Sequence, residues 1–134
     1  KKVEPKKDMP PQVVTRQLGD NIYTGIIRED PLGSQFLETS IAKYIWNTGI
    51  KYEGPFASSQ IEGKGRFSWP DGSSYEGELH NGKRHGEGLY IGGDGITRYE
   101  GQWCMGMREG NGRLEYNSSG SAFYDGEWKD GKKH

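Results

Sequence analysis

"YEGELHNGKRHGEGLY", residues 75–90, is the stretch on which the reading of this chain turns. Glycines, a basic trio (Lys83, Arg84, His85) and three glutamates surround an Asn-Gly pair. Those are the ingredients of a phosphate-cradling loop or of an acid–base site. Recurrence decides between a site and a scaffold. Tyr52-Glu-Gly, Tyr75-Glu-Gly, Tyr99-Glu-Gly and Tyr124-Asp-Gly open units spaced 23, 24 and 25 residues apart. Gly54, Gly77, Gly101 and Gly126 stand two residues after each tyrosine, and Phe56, Leu79, Trp103 or Trp128 four after it. Gly63/Gly65, Gly86/Gly88 and Gly110/Gly112 follow at eleven and thirteen. Self-similarity at such a period marks a repeat array, in which the unit itself is structural.

Each unit reads as a β-hairpin. Asn81-Gly82 and Asp130-Gly131 are two-residue turn signals, because a type I′ turn needs positive φ at both positions. Counting outward from the Asn81-Gly82 tip sets Gly77 opposite Gly86, Tyr75 opposite Gly88, Glu76 opposite Glu87 and Glu78 opposite His85. The same count sets Tyr52 across from Gly65 and Tyr99 across from Gly112. A ring laid over a cross-strand glycine covers bare backbone, so the glycines are assigned to structure. Between units, "WPDGS" (69–73) reads as a three-residue loop that pairs Phe67 with Tyr75 and Gly65 with Gly77. Asp94-Gly95, read as a two-residue turn, pairs Tyr90 with Tyr99, and Ser118-Ser119-Gly120 pairs Leu114 with Tyr124. Loop length thus absorbs the unequal spacings, whereas a one-residue slip would exchange the two faces.

Upstream, "AKYIWNTGIKY" (42–52) matches a second strand and its connecting loop, and "YTGII" (23–27) reads as the matching first strand. Ser40 and Ala42 replace the Gly-x-Gly of this degenerate copy, and "REDPLGSQFL" (28–37) is an insertion. The organisation expected is an extended or disordered arm over 1–20, a degenerate repeat over 21–51, and units at 52–74, 75–98, 99–123 and 124–134. The last unit stops at "GKKH" and the chain opens "KKVEPKK", so both ends read as cuts from a longer protein.

The fold class that follows is all-β: one elongated, single-layer, twisted antiparallel sheet of consecutive hairpins. Every aromatic residue except Phe36 and Phe123 falls on one face of it. Glu53, Glu76, Glu78, Glu100, Glu127, Lys64, Arg66 and Arg113 fall on the other. With 31% hydrophobic residues and 22 glycines, a thick two-layer core is out of reach, and the apolar material is concentrated in rings. A net charge of -1 argues against general attraction to nucleic acid or anionic membrane. The single cysteine, Cys104, excludes an intramolecular disulfide and fits a reducing compartment.

"YEGELHNGKRHGEGLYIGGDG" and "YDGEWKDGKKH" resemble MORN repeats, whose pattern is close to Tyr-Glu-Gly-x-Trp-x-x-Gly-Lys-x-His-Gly-x-Gly. The likeness covers roughly residues 44–134, with a decayed copy at 23–51. It implies a curved sheet of stacked hairpins that serves as a scaffold. The family's settings are motile-cilium radial spokes, membrane-contact junctions, parasite cytoskeletons, lipid kinases and a lysine methyltransferase. Ser59, Gln60 and Glu62 depart from the pattern in the first full unit, as do Met107 and Glu109 in the third. The basic turn is therefore present only in alternate units, which weakens an expectation of acidic-lipid binding.

Sharper chemistry is weighed against this frame. Gly86-Glu87-Gly88 leads into no helix, so a dinucleotide or phosphate site is not expected. A Glu78–His85 cross-strand pair accounts for both residues without catalysis. Arg108 falls opposite Trp103 and is expected to stack there, as Lys133 is on Trp128. No enzyme activity, cofactor or metal is expected within these residues. A single-layer sheet leaves its rings without a covering layer, and large apolar patches mark interaction sites. A protein partner, or a second copy, is therefore expected in an aromatic groove formed by Trp46, Phe67, Trp69, Tyr90, Trp103, Arg108, Tyr116 and Trp128. The resemblance implies a cytoplasmic, cytoskeletal protein, placed best in a ciliary or flagellar axoneme. The alternative it leaves is a regulatory or membrane-tethering module attached to a lipid kinase or lysine methyltransferase.

Overall fold

Residues 11–134 are described by a computed structural model. The strands are β1 (Val13–Leu18), β2 (Asn21–Glu29), β3 (Gln35–Leu37), β4 (Thr39–Ile45), β5 (Lys51–Ala57), β6 (Gln60–Ile61) and β7 (Gly63–Ser68). They continue as β8 (Ser74–His80), β9 (Lys83–Ile91), β10 (Arg98–Cys104), β11 (Met107–Glu115), β12 (Phe123–Lys129) and β13 (Lys132–Lys133). All belong to one antiparallel sheet whose spatial order follows the chain from β1 to β13, with β3 on β2 and β6 on β5. Each tile is a hairpin that pairs with its sequence neighbours only.

The core is a line of rings along one face. Tyr23, Tyr52, Tyr75 and Tyr99 are fully buried, and each donates its hydroxyl to the carbonyl three residues on: Ile26, Pro55, Glu78 and Gln102, at 2.7–2.9 Å. Tyr124 repeats the bond to Glu127 O. The aromatic residue at tyrosine-plus-four is gripped edge-on by its own tyrosine and by that of the preceding tile. Trp103 meets Tyr75 at 5.5 Å and Tyr99 at 5.0 Å, and Trp128 meets Tyr99 and Tyr124 at 5.3 Å, all within a few degrees of perpendicular. Phe56 does the same between Tyr23 and Tyr52. Burying one such ring contributes roughly 1.5–3 kcal/mol, and each edge-to-face pair about 0.5–1.5 kcal/mol more. Buried indole N–H groups need acceptors: Trp103 Nε1 and Trp128 Nε1 donate to Gly88 O and Gly112 O of the preceding tile.

Register departs from the count made outward from the turns. His80 pairs with Lys83 and Leu79 with Arg84, as counted, but Gly77 then faces Gly88 and not Gly86, and Tyr75 faces Tyr90 and not Gly88. Glu76 correspondingly faces Leu89. Gly101 faces Gly112 and Tyr99 faces Leu114 by the same shift, and Tyr52 faces Phe67. The cause is a bulge in the returning strand, where Gly63, Gly86 and Gly110 adopt φ of +87°, +70° and +78°. That bulge absorbs two residues, so the faces are preserved although the partners change. The first glycine of each Gly-x-Gly therefore supplies the left-handed bulge. The second lies under a ring: a Cβ on Gly88 would stand 2.1 Å from the Tyr75 hydroxyl. Ring-over-glycine packing thus holds, reached along a diagonal. Between tiles, Phe67–Tyr75, Gly65–Gly77, Tyr90–Tyr99 and Leu114–Tyr124 pair as expected. Asp94-Gly95 sits inside a longer loop closed by Gly92 N–H to Thr97 O, not in a two-residue turn.

The upstream stretch is more regular than expected. Tyr23 pairs with Tyr44 in a hairpin whose first strand runs Asn21–Glu29, and β3 forms inside the expected insertion. Val13–Leu18, within the segment read as an arm, is a paired strand that continues the sheet. Its alternation Val14, Arg16, Leu18 against Val13, Thr15, Gln17 suits a strand, a signal masked by the Lys- and Pro-rich residues before it. The rest of that arm, residues 1–10, lies outside the described residues.

The polar face is ordered by charge. A register row runs Lys43, Glu53, Arg66, Glu76, Leu89, Glu100, Arg113, Asp125 across the sheet. Opposite charges therefore stand side by side wherever two charges are adjacent, and Arg113 reaches Asp125 at 3.6 Å. Such exposed pairs are worth little singly, but they remove the repulsion that a row of glutamates would create.

Candidate binding groove

The tips of the tiles form one wall of the groove. Ser58-Ser59, Asn81-Gly82, Met105-Gly106 and Asp130-Gly131 all carry positive φ at both turn positions, including the two tips without an Asn-Gly or Asp-Gly signal. Each tip is tied to the tile before it. The second turn residue donates its N–H backward: Ser59 to Leu37 O, Gly82 to Ile61 O, Gly106 to Arg84 O and Gly131 to Arg108 O. The first donates to the side chain that follows that carbonyl: Ser58 to Glu38, Asn81 to Glu62, Met105 to His85 and Asp130 to Glu109. Glu62 and Glu109, the departures from the family pattern, thus do what His85 does, which is to accept a turn amide. The bond from Asn81, with one from His80, holds the Glu62 carboxyl below its ordinary range. Consequently Glu78 does not pair with His85. Its carboxylate lies across Gly86 and accepts from Glu87 N–H at 2.8 Å.

Cations line this wall. Arg84 and Arg108 occupy equivalent positions, nine residues after Tyr75 and Tyr99. Each guanidinium crosses to the next tile, donating to Gly106 O or Gly131 O and lying over Trp103 at 4.6 Å or Trp128 at 4.2 Å. Arg108 therefore stacks on Trp128, not on its register partner Trp103. Lys133 lies over Tyr116 and Tyr124, at 5.1 and 5.2 Å, not over Trp128. Side-chain lean toward the following tile carries the two arginines one unit beyond their strand partners, whereas Lys133 leans back over its own tile.

The opposite wall is a shelf of rings beside the inter-tile loops. Trp46 stacks on Phe67, Phe67 on Trp69, and Trp69 leans on Tyr90. Of the expected groove residues, Phe67, Trp103 and Trp128 are core, at 8%, 6% and 3% exposure, and present almost nothing to a partner. Trp46, Trp69, Tyr90 and Arg108 are half-buried, and Tyr116 is exposed. Two clefts open between shelf and tips. One, of about 340 Å³, holds Tyr90, Thr97, Leu114, Met107, Arg84 and Arg108; the other, of about 350 Å³, holds Trp46, Ile50, Trp69, Lys83 and Arg84. Arg84 is common to both. In sequence it reads only as part of a basic turn, although its shared spacing with Arg108 is a visible signal.

Burial raises the phenol pKa of Tyr23, Tyr52 and Tyr99, and pushes that of Tyr75 up to about 12. These hydroxyls are fixed donors to backbone, which suits structure and not proton transfer. Among the described residues no cluster of His, Cys, Asp and Glu can hold a metal ion.

Hairpins of one kind, stacked edge to edge with each touching only its neighbours, define a β-repeat array whose function belongs to the row. Residues 52–74, 75–97, 99–121 and 124–134 match the MORN repeat, together more than half of the chain, and the protein belongs to the MORN-repeat family. MORN repeats are generally interaction or scaffold modules, and generally not catalytic ones.

Proposed function

We propose that this protein is a non-catalytic scaffold that holds a protein partner, or a second copy of itself, in the groove between the aromatic shelf and the tile tips. One observation carries the reading: Trp46, Trp69 and Tyr90 stand half-buried on a face that no second layer of the described residues covers. Large aromatic side chains of this kind are the commonest interface anchors. The tiles are cross-tied by backbone bonds, so the groove is preformed and little ordering opposes binding. The cellular setting we propose is cytoplasmic and cytoskeletal, as a structural subunit of a ciliary or flagellar axoneme akin to a radial-spoke component. That placement rests on resemblance to family members.

The test is retention of the tagged chain on detergent-extracted axonemes. Wild type is expected to remain bound, and a Trp69→Ala/Tyr90→Ala variant with unchanged circular dichroism is expected to wash out. Equal retention of the two would exclude the groove, and diffuse wild-type protein would exclude the axoneme.

A further inference from the structure

The aromatic face is cationic although the chain as a whole is not. From β4 to β13, the charged residues at register-paired positions on that face are Arg84, Arg108 and Lys133. The paired acids of those strands, Glu53, Glu76, Glu78, Glu87, Glu100, Glu115, Asp125 and Glu127, stand on the other face. Net charge is -1, so the separation is by face and not by composition. Asp71, at the rim, is engaged by its own loop through Ser73.

These cations lack counter-charges. Arg84 is half-buried and spends one N–H on Gly106 O, yet among the described residues the ion pairs are Lys43–Glu53, His80–Glu62 and two made by Arg113. Burial disfavours the charge on Arg84. A partly desolvated guanidinium with free donors is a place prepared for an anion. Its surroundings say which kind. The cation lies between rings inside a cleft, where an apolar chain would reach it, and not at an exposed tip.

Spacing narrows the partner further. Neighbouring strands are ~4.8 Å apart, so equivalent residues in successive tiles repeat at about 10 Å along the groove. Seven residues of α-helix rise ~10.5 Å. Among the described residues the groove floor offers side chains and no free strand edge, so an extended peptide would find no partners for its backbone, whereas a helix satisfies its own.

Resting on the groove reading above, we propose that the partner segment is an acidic amphipathic helix, with an apolar stripe on the Trp46–Trp69–Tyr90 shelf and carboxylates at seven-residue spacing on Arg84 and Arg108.

The probes are three labelled helical peptides of about 21 residues with one apolar stripe and Glu, Gln or Lys at the seven-residue positions. Binding is read by fluorescence anisotropy at about 0.15 M salt. The Glu peptide is expected to bind the unaltered protein about tenfold more tightly than the Gln peptide, with the Lys peptide weakest. In Arg84→Gln/Arg108→Gln that ranking should collapse. Equal affinities, or a preference for Lys, would overturn the acidic partner, and the groove would survive if Trp69→Ala still weakened the Gln peptide. Binding of none of the three would overturn groove and inference together. Binding to phosphatidylserine vesicles that the Glu peptide does not compete, lost in the arginine variant, would assign the cations to a lipid surface and overturn the proposal. The peptide comparison uses the unaltered protein, so it decides even if the arginine variant misfolds.

Discussion

The tile at Tyr75–Ile91 and the degenerate tile at Asn21–Ile45 make the same hairpin from different parts. Both bury a tyrosine completely and cap the carbonyl three residues on. Beneath the ring the regular tile has Gly88, whereas the other has Ala42, itself buried at 2% exposure. The tyrosine-plus-four residue, Leu79 in the regular tile and Phe56, Trp103 or Trp128 elsewhere, is Ile27 here, and the polar face carries Ile22, Ile26 and Ile45 where the regular tile carries Ser74, Glu78 and Ile91. The shared minimum is thus a tyrosine, its hydroxyl bond and a small residue under the ring. Everything else is adjustable when the strands beside it shift, as β4 does between Thr39 and Ala42.

Alkali should break both kinds of tile. Tyr75, pushed up to about 12, and Tyr23, raised by the same burial, are held neutral by the fold above their ordinary value of 10.0. The stability they contribute is full below that value and is lost as pH rises through the raised one. Phenolate absorbance should therefore rise together with loss of the β-sheet circular-dichroism signal; ionisation of the buried tyrosines with the sheet intact would contradict this. Tyr75→Ala, in the middle of the row, should cost about 3–5 kcal/mol and divide urea unfolding into two transitions, because each tile leans only on its neighbours. Tyr23→Ala should leave one main transition; matching profiles would mean the tiles are not separable units.

A reciprocal exchange sharpens the contrast. Gly88→Ala drives a methyl into Tyr75 and should destabilise by about 1–3 kcal/mol, while Ala42→Gly should cost only about 0.5–1 kcal/mol. Similar midpoint shifts would remove the distinction between the tiles. At the tips, Glu62→Gln should weaken the sheet slightly near neutrality. The Glu62 carboxyl is depressed below its ordinary 4.5, so its contribution is present above that value and disappears as pH falls through the lower one. Variant and wild type should converge in acid, and a constant difference would assign the effect to packing. Smallest of all, Met105→Asn should stabilise by a few tenths to about 1 kcal/mol, since Met105 is a non-glycine at φ +50° where Asn81 stands in the preceding tile. A lower melting temperature would show that the methionine side chain makes an unrecognised contact.

Period, hairpins, inter-tile pairings and faces were all readable because parity and turn chemistry declare themselves in residue types. The bulge was not, for a definite reason: it adds two residues, leaves every face unchanged, and hides in a glycine already explained by the ring. The Ser58-Ser59 tip carries no glycine, so only its place in the period could mark it. For the groove, register indicates which strand residue faces Arg108 but not that its side chain leans toward Trp128. Burial of Phe67, Trp103 and Trp128 was likewise hidden, since a single layer was expected to expose its rings and instead interlocks them.

The two long margins of the sheet are built differently, and this bears on how it yields to load. Along the margin of the tips, every turn is tied to the tile before it by two bonds at a fixed interval. Along the opposite margin, loops of unequal length, "WPDGS", "GGDGIT" and "NSSGSA", join the tiles. Such a strip has an inextensible seam and a compliant one, so a bending load should fan the tiles open on the loop side while the tip line keeps its length. The elasticity of the array is then set mainly by its connecting loops, and changing their lengths would alter its curvature before it altered its stability.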